Sequence, residues 1–172
     1  MAGPTDLFNL AAEWLAVCTA AVASAPGGPI SYSFVSPGSP PLDCPMIVVW
    51  AGGPVEAATQ PLTPPLSPGF RADKYDSYDL VNLLCCVVRC SPVGDDRGNA
   101  PSAAEYEAAA QATMGDVWAI WNWTRQRKRE GALFPSTHDR ELFLEPAYPL
   151  PIQGGLAGWQ IPIRVQLDGY PA

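Results

Sequence analysis

Histidine is almost missing from this sequence: His138 is the only one in 172 residues. The five cysteines, Cys18, Cys44, Cys85, Cys86 and Cys90, include no CxxC pair. Together these two shortages exclude a His/Cys zinc cluster, whose ligands need that spacing. No metal or other cofactor is therefore expected. No GxxxxGK[ST] loop and no GxGxxG after a strand is present, so phosphate and dinucleotide cradles are excluded as well. Gly154-Gly155-Leu156-Ala157-Gly158 precedes a strand pattern and not a helix, which removes it as an anion site. Asp95, Asp96 and Asn99 lack the twelve-residue calcium loop with its terminal Glu. Charge is scarce too, with Asp, Glu, Lys and Arg together at 16%, against ~25% in ordinary domains. What charge exists is mostly acidic, 17 against 10 basic, for a net of −7. A general nucleic-acid binder needs a basic footprint, so that class is excluded. A negative surface that nucleic acid slides past without sticking is not. Long apolar runs are also lacking. Leu7 to Ala25 is interrupted by Asn9, Glu13 and Thr19, and reads as an amphipathic helix rather than a membrane span. The start MAGPTDLFNL has no basic stretch and carries Asp6, so no signal peptide is expected and the chain reads as soluble.

Apolar residues, by contrast, are plentiful. They make up 48% of the chain, with 6 Trp among them. That excludes disorder, and the length fits one domain over 1–172 with a sizeable core. Many aromatics with few charges also point to interfaces buried between subunits, although a well-filled core could use the same residues. The cysteines read as buried reduced thiols in a cytosolic setting.

Periodicity predicts the elements. Leu7, Leu10, Trp14, Cys18, Ala21 and Val22 recur at three- and four-residue spacing, a helix over Asp6–Ala25 capped by Thr5 or Asp6 and ended by Pro26-Gly27-Gly28-Pro29. Ile30–Ser36 alternates and reads as a half-buried strand, and Met46–Ala51 is a continuous apolar strand. About 53–72 is an extended loop, because its density of prolines leaves few amide donors for any regular element. It is either a solvated connector or an arm lying on a neighbouring subunit. Tyr75–Ser91 is a long strand whose second half is apolar on both sides, which places it centrally in a sheet. Ser102-Ala103-Ala104-Glu105 is a capping box that opens a helix running to Glu130, with Gly131 at its C-cap. Its apolar stripe is Tyr106, Ala110, Thr113, Val117, Ile120 and Trp121, and Gly115 near its centre marks a kink or a close approach. Arg140–Tyr148 places Leu142 and Leu144 on one face and Phe143 on the other. A glycine turn over Gln153–Gly158 leads into Trp159–Tyr170, the strongest alternation in the chain. Pro162 within it marks an edge strand or a bulge. Strands in runs with one long helix crossing between them predict an α+β fold. Its sheet is mostly antiparallel, packed with the N-terminal helix and the crossing helix.

For a site, the residues offer an interface and no catalytic constellation. A Cys–His pair would need His138 beside a thiolate. Yet His138 falls in a loop, and Cys85, Cys86 and Cys90 fall in a buried strand that raises thiol pKa values. A small enzyme using one of these cysteines is the alternative of another class. Asp73, Asp76 and Asp79 read as solvating charges at a strand entry. Trp118, Trp121 and Trp123 lie about 0°, 300° and 140° around a helix wheel and cannot share one core. Trp123 is the one expected on a second surface, as an interface anchor. Arg125, Arg127, Lys128 and Arg129 follow it, either complementing the helix dipole or docking an acidic partner. The candidate interface is therefore Trp123, Arg125, Arg127, Lys128 and Arg129.

In its element order the chain resembles the tail terminator proteins of long-tailed phages. The parts that carry the resemblance are the N-terminal helix, the small antiparallel sheet, the long crossing helix at Ser102–Glu130 and the late strands in Arg140–Tyr170. The segment Gly154–Trp159 running into an alternating strand is similar to neck and tail genes of actinobacterial viruses. The resemblance implies a structural virion protein with no enzymatic activity: a hexameric ring that caps the tail tube. The tail tube protein would meet one face and the head-proximal connector or stopper the other, with DNA passing through unread. It further implies a place in the neck of the virion, and in the host cytoplasm during assembly. A head–tail stopper or adaptor subunit is the neighbouring alternative.

Overall fold

A computed structural model describes residues 7–52, 56–59, 77–94, 97–134, 142–150 and 155–167. His138, Thr5, Asp6, Asp73, Asp76, Asp95, Asp96 and most of the proline-rich stretch lie outside them. The elements are α1 (Leu7–Ala23), β1 (Ser33–Val35), β2 (Met46–Ala51), β3 (Glu56–Thr59), β4 (Ser77–Cys90), α2 (Ala103–Arg129), β5 (Leu142–Leu144), β6 (Tyr148–Pro149) and β7 (Leu156–Leu167). The fold is α+β. The strands form one seven-stranded sheet in the order β1-β2-β4-β7-β5, with β3 added beside β4 and β6 beside β7. Only β1 and β2 run parallel; every other pair is antiparallel.

Alternation along the strands separates two apolar layers, because successive side chains leave opposite faces of a sheet. Ile47, Val49, Val81, Leu83, Cys85, Val87, Ile161, Ile163 and Val165 face one way, under Leu10, Trp14, Cys18 and Val22 of α1 and Ile120 of α2. Met46, Val48, Trp50, Cys86 and Val88 face the other way, covered by Leu42, Cys44, Leu150 and Leu156. Both faces are thus dry at β2 and β4, which accounts for their continuous apolar runs.

The two helices share one face of the sheet. They meet where Pro26, just past the end of α1, lies against Gly115. A Cβ on Gly115 would stand 2.7 Å from the proline Cδ. Gly115 therefore serves close packing, one of the two roles anticipated for it. The start of α2 is built as predicted. Ser102 caps it, its side chain accepts from the Glu105 amide, and the Glu105 carboxylate accepts in return from the Ser102 amide at 2.8 Å. The Ser102 amide and the Ser102 hydroxyl, which also donates to that carboxylate at 2.8 Å, hold the Glu105 carboxyl below its ordinary value of 4.5. A lowered pKa means the stabilisation is present above pH 4.5 and lost as pH falls through the folded value. Ser102→Ala is expected to cost about 1 kcal/mol at neutral pH. That should appear as a lower urea midpoint, with the acid-side loss from Glu105 reduced but still present, because the amide at position 102 still donates to its carboxylate.

The structure departs from expectation in three places and, at Pro162, decides between two readings. A strand, β3, stands inside the proline-rich stretch and pairs with Ser77–Leu80. Val55 to Gln60, between Pro54 and Pro61, contains no proline, so its amides remain available to the ladder. The glycine turn ends earlier than the expected Gln153–Gly158: β7 already begins at Leu156, and Gly158 pairs with Val88. A Cβ at Gly158 would collide with the Val87 carbonyl, so this glycine is there for close strand approach. Pro162 sits in an interior strand, since β7 is flanked by β4 and by β5 and β6. It marks the bulge that was the other reading. Leu142↔Val165 and Tyr148↔Gln160 differ in register by one residue, and the Pro162 carbonyl accepts from Glu145 at that break. The amide donor proline lacks falls on the same edge. Finally, Cys44 and Cys90 are not free thiols but a disulfide, with Cα atoms 5.0 Å apart. Cys18, Cys85 and Cys86 remain free and buried.

Candidate interaction surface

Everything α2 presents depends on how it is fixed to the sheet, and one ion pair does much of that. Arg89 near the end of β4 reaches Asp116 of α2 with its Nε at 2.6 Å and one Nη at 3.0 Å. The same guanidinium donates to the carbonyls of Gly27 at 2.8 Å and Gly28 at 2.7 Å. Strand, helix and the turn after α1 are tied together at one group. Asp116 is fully buried. Burial pushes its carboxyl above the ordinary 3.8, and the Arg89 guanidinium offsets part of that rise. This pair was not anticipated. Its only sequence signal is a lone acid, Asp116, on the helix face that also carries Thr113 and Ile120.

The stripe predicted for α2 holds at four of its six positions. Thr113, Ile120 and Thr124 are buried with Asp116, and Val117 and Trp121 pack on the core. Tyr106 and Ala110 are exposed, and residues 102–108 around the first turns of α2 are exposed on every side. The tryptophans also divide differently. Trp121 and Trp123 are half-buried against the core, while Trp118 is 67% exposed. On a wheel of ~100° per residue, Ile120 at the centre of the buried face lies about 200° from Trp118, with Trp121 and Trp123 on either flank. Trp123 therefore packs against the body, and the tryptophan that faces outward is Trp118.

The basic run splits the same way. Arg127 lies over the Trp123 ring, 5.4 Å from its centroid. Lys128 donates from Nζ to the Leu142 carbonyl at 2.6 Å. Both are committed to the fold. Arg125 and Arg129 are exposed on the same outward face as Trp118. Other large apolar side chains in solvent are Met114 on that face, 60% exposed, and Phe8, Tyr32, Val93 and Tyr148 elsewhere.

The three free thiols are all buried. Burial raises Cys85 well above its ordinary value, and the neighbouring Cys18 adds to the rise. Burial also pushes Cys86 up to about 12. Both therefore stay protonated at neutral pH, and Cys90 is in the disulfide. Among the described residues, no three potential metal ligands come together, and no helix is long and apolar enough to cross a membrane. No protein-family model and no curated protein matches this chain.

Proposed function

We propose that the chain is a structural subunit of a phage neck, a tail terminator that closes the tail tube as a ring and joins it to the head-proximal connector. The observation that carries this reading is the order in which the sheet is completed. A helix comes first, then β1 to β4. The 27-residue α2 follows. The late strand β7 then docks along the length of β4. This is the arrangement the family resemblance implies. A predominantly helical or barrel architecture would have favoured a stopper or adaptor, and this fold is neither. Protonated, buried thiols speak against the cysteine-enzyme alternative. Exposed Trp118, Met114 and Phe8 supply apolar surface for subunit contacts. On this reading six copies surround the channel and the net charge of −7 keeps passing DNA from sticking. The test is electron microscopy of the pure chain mixed with tail-tube subunits. Rings at tube ends, with arrest of tube growth, are the expected result. A chain that never joins the tube overturns it.

A further inference from the structure

Seven exposed residues of α2 line its outward face: Glu107, Gln111, Met114, Trp118, Asn122, Arg125 and Arg129. Their spacings are four, three, four, four, three and four residues. At ~100° per residue all seven fall within about 80° of arc, a single seam of the helical-packing kind. The spacing is symmetric about Trp118. Reversing the helix about that residue lays Glu107 on Arg129, Gln111 on Arg125, Met114 on Asn122 and Trp118 on itself. The charge pattern is antisymmetric about the same point, acidic at the start and basic at the end.

We propose that this face pairs with the same face of a second copy of the chain, the two α2 helices running antiparallel about a twofold axis at Trp118. An isologous contact requires a self-complementary patch, and this seam is one. Trp118 against its counterpart occupies the centre, flanked on each side by Met114 lying against Asn122. Opposite charges close both rims, as an interface with an apolar core and polar edge requires. The parallel arrangement sets Glu107 against Glu107 and Arg129 against Arg129, and like-charge contact disfavours it. A nucleic-acid backbone is a poorer occupant, because it would be drawn to Arg125 and Arg129 and repelled at Glu107. The internal partners of Arg127 and Lys128 leave Arg125 and Arg129 as the cations of this seam. The pairing does not depend on the ring reading. A closed ring grows by head-to-tail contacts, which must use other surfaces.

Sedimentation of the full chain over a concentration series tests the association, and three sets of variants test its anchor and geometry. Trp118→Asp removes the central anchor and should weaken self-association on the order of 30-fold or more. Glu107→Arg alone should weaken it about tenfold, and Glu107→Arg with Arg129→Glu in the same chain should restore it. Copies carrying Gln111→Cys, mixed with copies carrying Arg125→Cys and oxidised, should cross-link to each other in preference to themselves. A chain that stays monomeric, a charge swap that fails to restore association, or cross-links of Gln111→Cys only to itself overturns the pairing. Rings on tail tubes without the mixed cross-link also overturn it while leaving the terminator reading intact. Mixed cross-links in a chain that never joins a tube support the pairing and sink that reading.

Discussion

Asp116→Ala is expected to lower stability by about 3–5 kcal/mol, the usual cost of stripping one partner from a buried ion pair. The Arg89 side chain is only 13% exposed and the Asp116 side chain 1%. Without the carboxylate, a guanidinium stays buried with two carbonyls, those of Gly27 and Gly28, as its only partners. Urea titration should show the midpoint falling with little change in slope, and the melting temperature dropping by roughly 10–20 °C. Arg89→Met with Asp116→Leu should recover a large share of the loss, because no charge is then left buried. Recovery stays incomplete, since the two glycine carbonyls lose their donor. A loss under about 1 kcal/mol in the single variant would mean that the pair is not what holds α2 to β4.

The same pair has a pH signature with a defined sign. Asp116 is raised above 3.8 in the folded chain. The native state therefore holds that proton more readily than the unfolded state. Its share of stability is present below 3.8 and is lost as pH rises through the folded value. Glu105 runs the opposite way, lowered from 4.5 and lost on acidification. Acid sensitivity of this fold should therefore follow the capping box and not the buried pair.

Elements with a strong local signal were legible in the sequence. The capping box at Ser102 depends on residues three apart, and the boundary of α2 lies where that signal puts it. β2 was readable residue for residue, because an unbroken apolar run needs cover on both faces. Information that depends on register was not legible. Whether Trp118 or Trp123 faces solvent turns on which side of α2 meets the sheet, and Asp116 decides that. A lone acid amid apolar neighbours reads as a solvent-facing residue until its partner 27 residues earlier is known to lie opposite it. The outward seam was hidden for the same reason. Its spacing is in the sequence, but its exposure follows from the fixed rotation of the helix. β3 was missed because proline density was averaged over a stretch whose prolines leave one gap.

The cysteines pose the same problem of register, and their disulfide carries the second large expected effect. Taken by neighbourhood, Cys90 belongs with Cys85 and Cys86 in one buried strand. Taken by pairing, Met46 lies opposite Val88. Two residues further out on each chain, on the same sheet face, stand Cys44 and Cys90. The bridge extends the β2–β4 ladder by one cross-strand pair and pins the segment carrying Leu42 over Met46, Val48 and Cys86. It closes a loop of 46 residues. On a chain-entropy account, a loop of that size stabilises the native state by about 4 kcal/mol at most, with about 2–4 kcal/mol usual. Cys44→Ala with Cys90→Ala should therefore lower the melting temperature by roughly 5–15 °C. A reductant should do the same to the unaltered chain and nothing further to the variant. Cys18, Cys85 and Cys86 should resist thiol labelling throughout, until the chain unfolds, because burial puts all three out of reach and holds Cys85 and Cys86 protonated. If the variant melts with the parent chain, the loop over the second face is held by Leu42, Leu150 and Leu156 alone. The helices on the other face would then account for the stability.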